Sequence, residues 1–105
     1  MSRAEAAPIF AALGDPTRLS LVMRLGAKGP MSIARLTDKT DVTRQAVSKH
    51  LSVLEDAGLV KSATRGRERI WELAPERLDD ARAELDRISE AWDGRLERLR
   101  KLVED

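Results

Sequence analysis

The hydrophobic period of this chain changes at Gly58, and that change restricts the folds open to it. Before the glycine, apolar residues recur at the spacing of one helix face: Val47, Leu51 and Leu54. After it, "LVKSATRGRERIWEL" carries β-branched residues on both sides of "RGR", which supplies a glycine for a turn. The pattern predicts a helix over about 43–57, ended by Gly58, and a two-stranded hairpin over 59–73. Within that hairpin, Val60, Ser62, Thr64 and Ile70 lie on one parity, and Leu59, Trp71 and Leu73 lie on the other.

A further helix is predicted to begin at Pro16, because proline is favoured in a first helical turn and Asp15 can cap the free N–H groups. Glycine and proline residues at 26, 29 and 30 are expected to end it. Its apolar face is predicted to contain Leu19, Val22 and Met23, with Leu25 or Gly26 as the next residue on that face.

Two polar residues predict the helices on either side of a tight turn. Ser32 is placed to cap a two-turn helix containing Ile33 and Leu36, and Thr43 is placed to cap the helix that ends at Gly58. From Pro75 the chain is predicted to form one long helix of about 40 Å, at ~1.5 Å per residue.

A short helix, a turn, a second helix and a basic hairpin, in that order, predict a winged helix-turn-helix, a mainly α fold with a small β-hairpin wing. We expect a single domain over 1–105, with the helix-turn-helix and wing at about 16–73. The helix over 75–104 is expected to mediate dimerisation, with 5–13 contributing. A lone α-helix fits the major groove of B-DNA, and a hairpin beside it reaches the adjacent backbone or minor groove.

The net charge of +1 conceals an uneven distribution. Residues 39–69 carry seven basic and four acidic side chains, whereas residues 74–105 carry seven basic and ten acidic ones. The middle of the chain is therefore suited to a polyanion, and the C-terminal third to another task.

The exposed face of the second helix predicts contacts with base edges, since Arg and Lys pair with guanine, Gln pairs with adenine, and Ser contacts bases or phosphates. An ordinary solvated helix face is the alternative. At the wing, cations surround Gly66 and are suited to phosphates, although a charged edge also discourages strand aggregation. The predicted DNA-binding residues are Thr43, Arg44, Gln45, Ser48, Lys49 and Ser52 on the helix, and Arg65, Arg67 and Arg69 on the wing.

Apolar residues on the C-terminal helix step by three and four, with an interruption where Arg95 stands beside Leu96. A chain of 105 residues has little core against which to bury such a face, so we expect it to pack on a second copy of the chain. Folding back on its own domain is the alternative. The predicted dimer interface contains Ile9, Phe10, Leu13, Leu78, Leu85, Ile88, Trp92 and Leu99.

Several classes of function are disfavoured by composition. The chain has no cysteine and one histidine, His50, so no thiolate metal site, disulfide or multi-histidine site is expected within it. No nucleophile constellation or glycine-rich phosphate loop predicts an enzyme, and no metal or cofactor is expected. No signal peptide or ~20-residue apolar run is present, so we expect a soluble, cytoplasmic protein with no membrane partner.

Two stretches, "LGDPTRLSLVMRL" and "TRQAVSKHLSVLEDAGLVKSATRGRERIWEL", resemble the ArsR/SmtB family of bacterial winged-helix repressors. The resemblance extends from about Ile9 to the last helix and implies a homodimer on double-stranded operator DNA, released by a signal that is often a metal. It makes Gln45, Ser48 and Lys49 the main groove contacts and gives Arg18 a structural role between helices. The cysteine pair and C-terminal histidines of metal-sensing members are absent.

The resemblance leaves the effector open, as an unidentified small molecule or protein. Trp71 and Trp92 are candidates to line an apolar effector pocket, or are plain core. His50 is a candidate phosphate contact when charged, or a helix-packing residue. The alternative to a DNA-binding regulator is a winged helix that serves as a protein-interaction or dimerisation module, with the acidic C-terminal helix as its working surface.

Overall fold

The computed structural model describes residues 3–104, and the elements within them match the predicted mainly α fold with a wing and a long C-terminal helix. None of the helices in this range is both long and apolar enough to cross a membrane. The elements are α1 (Arg3–Leu13), α2 (Pro16–Lys28), β1 (Met31–Ser32), α3 (Ile33–Asp38), α4 (Arg44–Asp56), β2 (Val60–Arg65), β3 (Glu68–Leu73) and α5 (Pro75–Glu104).

The three predicted helix caps are confirmed. In each case a short polar side chain just before the helix accepts a backbone N–H of the first turn, which would otherwise have no intrahelical partner. The N–H groups of Arg18, Arg35 and Ala46 donate to Asp15 Oδ2 (3.0 Å), Ser32 Oγ (3.3 Å) and Thr43 Oγ1 (3.1 Å), respectively. At the other end of α4, Gly58 adopts a positive φ of 78°, as predicted for the residue that ends this helix.

The sheet has three antiparallel strands in the order β1-β3-β2, one more than the sequence predicts. The additional strand, β1, is two residues long and pairs Met31 with Trp71 and Ser32 with Ile70. It joins the wing to the residues just before α3, so the wing is anchored to the helix-turn-helix at its base.

The hairpin has a two-residue loop, Gly66–Arg67, between the paired residues Arg65 and Glu68. This loop places even-numbered residues of β2 opposite odd-numbered residues of β3, as in the pairs Val60 with Leu73 and Ser62 with Trp71. Even-numbered residues of β2 therefore share a face of the sheet with odd-numbered residues of β3, so odd or even numbering alone does not identify one face across the hairpin.

Helix α4 buries the predicted stripe of Val47, Leu51 and Leu54 in the core. Helix α2 differs from the prediction, because Leu19 and Met23 are 43% and 65% exposed. The helix continues through Gly26 to Lys28. Val22 and Leu25 face inward, as predicted, together with Leu21, which was not predicted. A Cβ at Gly26 would lie 3.4 Å from Leu73 Cδ1, so α2 lies beside the last strand at this position.

Helix α1 packs on the core of its own chain. Ile9 is only 2% exposed and belongs to that core, so its side chain is not on the surface available to a second copy. Phe10 and Leu13 are partly buried at the edge of the same core.

Candidate nucleic-acid interface

One face of α4 carries the predicted base-reading residues, and the opposite face carries the buried stripe. Arg44, Gln45, Ser48, Lys49 and Ser52 are all exposed. Arg44, Gln45 and Ser48 also line a shallow surface groove with Ile33 of α3. The polar face is therefore presented outward on a helix held by the core, which is the arrangement that major-groove reading requires.

The position of α4 relative to α1 and α2 is set by Arg18. Its Nε donates to the carbonyl of Ala12 (2.7 Å) and its Nη2 donates to that of Ala11 (3.4 Å), near the end of α1. Its Nη1 lies 3.4 Å from His50 Nδ1 on α4. Arg18 thus closes polar contacts among three helices.

His50 lies between Arg18 and the cap of α2, and its Nδ1 is 3.9 Å from Asp15 Oδ2. Its side chain is less than one quarter exposed, so it packs between helices. The Asp15 carboxylate has a lowered pKa, chiefly because it accepts the backbone N–H of Arg18 and in addition because His50 and the Arg18 guanidinium are nearby.

The wing presents two free cations at its tip. Arg65 and Arg67 are exposed, and within residues 3–104 neither side chain has a hydrogen bond or ion pair. Gly66 adopts a positive φ of 62° at the first position of the two-residue loop, where a type II′ hairpin turn requires glycine. Arg67 therefore lies in the loop and Arg65 at the end of β2, so both arginines are at the tip of the wing.

The other two cations of the wing are engaged within it. Arg69 Nε donates to Ser62 Oγ (2.9 Å), and its guanidinium lies 5.6 Å from the centre of the Trp71 ring. Lys61 pairs with Glu72 across the hairpin at 3.8 Å. Of the predicted wing contacts, Arg65 and Arg67 have no side-chain partner within residues 3–104, whereas Arg69 is bonded to Ser62.

Helix α5 exposes an apolar face along most of its length. Ala81 is its only buried residue within the described part of the chain, and Leu78 is partly buried against the core. The sequence predicted an interruption of this face at Arg95. In the structure the exposed apolar face continues past that residue, because Leu96 is also exposed. We call the following set the α5 stripe: Leu85, Ile88, Trp92, Leu96, Leu99 and Val103.

The two tryptophans occupy separate places. Trp71 is buried in the sheet, and Trp92 is 56% exposed on the α5 stripe. Within residues 3–104, Trp92 lines a shallow surface groove with Arg95, Arg98, Leu99 and Leu102, and Trp71 is not among the residues that line it. In the same residues, no group of three or more His, Cys, Asp or Glu side chains is arranged to hold a metal ion.

Comparison with known proteins places this geometry in a family. A family model described as "Helix-turn-helix domain" matches residues 13–63. The chain is 44% identical over 68 residues to YuzN of Bacillus subtilis, an uncharacterised HTH-type transcriptional regulator, with 59% of this chain and 74% of that protein covered. It is 43% identical over 77 residues to the HTH-type transcriptional regulator Rv2034 of Mycobacterium tuberculosis, with 73% and 71% covered.

A solved structure shares the fold over nearly the whole chain. It is an ArsR-like transcriptional regulator from Rhodococcus sp. RHA1, 37% identical, with a TM-score of 0.77 and coverage of 94% of this chain and 92% of that one. These likenesses favour a DNA-binding regulator over a winged helix used only for protein interaction.

Proposed function

Because the chain belongs to the ArsR family of DNA-binding winged helix-turn-helix transcriptional regulators, we propose that it is a homodimeric repressor of an inverted-repeat operator. The observation that carries the proposal is the exposed polar face of α4, flanked by a wing whose tip offers two unpaired arginines. We propose that it acts in the cytoplasm, without a cofactor or an enzymatic activity.

We assign base reading to the N-terminal half of α4. Gln45, Ser48 and Lys49 lie on its exposed face, with Arg44 beside them. Thr43 is committed to the cap through its hydroxyl, so its part is to hold the first turn in place. Ser52, one turn beyond Ser48, extends the same face and is assigned a backbone contact.

The wing supplies affinity without sequence preference. Arg65 and Arg67 neutralise phosphates, and each such contact releases condensed counterions from the duplex. Arg69 contributes indirectly, because its bond to Ser62 and its contact with Trp71 keep the hairpin rigid.

We propose that the α5 stripe packs on the stripe of a second copy. Its exposed large apolar side chains are spread over several helical turns, and an apolar surface of this extent is unfavourable in water. Phe10 and Leu13 of α1 lie at the edge of the core and are assigned to the margin of this interface, together with Leu78.

The charge along α5 favours an antiparallel pairing of the two helices. Residues 76–93 carry seven acidic and three basic side chains, whereas residues 95–104 carry four basic and two acidic ones. An antiparallel pair sets the basic end of each helix beside the acidic start of the other, and a parallel pair would set like charges together. Such a pair has a two-fold axis across α5, and an inverted-repeat operator would require the two α4 helices to lie about 34–36 Å apart.

Gln45→Ala tests the reading face. We expect the variant to lose preference at one or two base pairs of each half-site, at about 1–3 kcal/mol for a bidentate contact with adenine. Competition titrations with single-base operator variants measure this loss. Glu55→Ala is the matched control, because Glu55 is exposed on α4 near its other end. If selectivity is the same in both variants, Gln45 does not read the operator.

Arg67→Ala tests the wing. Binding should weaken by a similar factor on operator and unrelated DNA, and the slope of log affinity against log salt should fall by about one. The measurement is a salt series by fluorescence anisotropy, with Arg87→Ala on α5 as control. A change confined to base preference would contradict the assignment of Arg67 to phosphate.

The experiment that tests the whole proposal is selection of DNA from a random pool by the purified protein. Enrichment of an inverted repeat with half-sites about one helical turn apart is expected. Absence of any enriched sequence at moderate salt would count against operator binding by the chain in its free state. A reporter driven from a promoter that contains the repeat then distinguishes repression from activation.

A further inference from the structure

A groove of about 670 Å³ lies between α2 and α3, on a part of the surface that none of the roles above uses. None of its lining residues belongs to α4, the wing hairpin or α5. Its apolar lining comes from Met23 and Ala27 of α2 and from Met31 of β1. Met23 was expected in the core, and its 65% exposure here leaves a flexible apolar side chain at the groove.

The two walls of the groove are fixed to each other by Arg24. Its Nη1 donates to the carbonyl of Leu36 (2.5 Å) and its Nη2 to that of Arg35 (3.0 Å), both on α3. Met31 is held in turn by the pairing of β1 with β3. Since these contacts set the separation of α2 and α3, the groove is formed before anything binds in it.

The rim of the groove is basic. Lys28, Arg35 and Lys39 are exposed, and none of the three side chains has a hydrogen bond or ion pair within the described range of the chain. Asp38 is the single acidic residue among those that line the groove. The rim therefore has a surplus of positive charge around an apolar lining.

We propose that this groove binds a small amphiphilic anion, an apolar chain or ring with a carboxylate head. A bare inorganic anion would gain nothing from Met23, Ala27 and Met31, and a neutral apolar molecule would leave the rim cations uncompensated. An amphiphilic cation would be repelled by the rim. The volume lies within the range of small-molecule sites, ~300–1,000 Å³.

The groove also touches the turn of the helix-turn-helix. Lys39 is the C-cap residue of α3 and begins the turn to α4, and the first helix of such a motif crosses the DNA backbone. An anion bound here neutralises positive charge near that backbone, so it should lower the affinity for DNA. This second step rests on the proposed function, whereas binding of the anion itself does not.

Titration calorimetry of the full chain with sodium dodecanoate, kept below its micelle-forming concentration, tests the site. One saturable site per chain is expected, with no binding of acetate or of dodecylammonium. Met23→Glu and Lys39→Glu should each lower the affinity by about tenfold or more. Lys101→Glu, which reverses a charge on α5, is the control and should bind as the parent does. Circular dichroism checks that each variant is folded.

Three results would overturn the site: no saturable binding of dodecanoate, equal binding of dodecylammonium, or unchanged affinity in Met23→Glu. An acidic peptide that binds while dodecanoate does not would assign the groove to a protein partner and would also overturn it. Operator titrations with and without dodecanoate test the second step. If dodecanoate binds but leaves the operator affinity unchanged, only the second step is refuted. If the protein does not bind DNA when dodecanoate is absent, only the proposed function is refuted.

Discussion

Trp92→Glu in α5 should convert the proposed dimer to a monomer and abolish tight binding to its operator. Trp92 is 56% exposed in a single chain, so its replacement removes little of the protomer's own core, and glutamate is a good helix former. In the paired stripe, however, the same change would bury two unpaired carboxylates, one from each copy. Loss of the link between two half-sites is expected to lower operator affinity by about 10²–10⁴-fold.

Sedimentation velocity over a range of protein concentrations measures the first effect, and operator titration measures the second. Ala83→Glu is the matched control, since Ala83 is exposed on α5 outside the stripe and receives the same new charge. A Trp92→Glu variant that sediments as a dimer, like the control, would show that the α5 stripe is not the interface.

Leu51→Ala should lower the free energy of unfolding by about 2–5 kcal/mol, because removal of a fully buried leucine leaves a cavity that the core closes only in part. Leu51 has no exposed surface and lies under the reading face of α4. Chemical denaturation at a fixed protomer concentration measures the change, since the stability of a dimer depends on concentration.

Ser52→Ala is the control for this prediction. Ser52 is the next residue of α4 and points to solvent, so its removal should change stability by no more than about 0.5 kcal/mol. A Leu51→Ala variant as stable as Ser52→Ala would contradict the placement of α4 on the core.

Local signals in the sequence were sufficient for much of this fold. Asp15, Ser32 and Thr43 each act within three residues of themselves, so their caps follow from the sequence alone. The stripe of α4 follows from spacing, because its periodic run has one strongly apolar side. The order of helices, turn and hairpin then predicts the winged helix-turn-helix.

Contacts between distant residues were not predictable in the same way. Strand β1 is two residues long and forms by pairing with β3, about 40 residues further along the chain. A strand this short has no alternation of apolar and polar residues from which to predict it. Arg24 is one cation among many in the sequence, and its two carbonyl acceptors on α3 become neighbours only in the folded chain. The exposure of Met23 follows from that same packing.

The structure shows the neighbours of the predicted DNA-binding residues, which the sequence did not specify. The composition of the wing did not distinguish Arg65 and Arg67, which are free, from Arg69, which is bonded to Ser62. Ile9 shared the apolar character of the first helix, yet it is Ile9 that turns into the core. Hydrophobicity by itself does not say whether a side chain faces its own domain or a partner.

The length of α5 has a consequence for when the protein becomes ordered. Contact with the rest of the chain is concentrated near its start, at Leu78 and Ala81, while the molecule extends 67 Å along its longest axis. A helical segment without tertiary support is marginal in water. Amide hydrogens beyond about residue 85 should therefore exchange quickly in the monomer and slowly in the dimer. The C-terminal part of α5 would then become stably helical only when two copies associate. The concentration of the chain would then set not only how much DNA is occupied but also how much of the protein has finished folding.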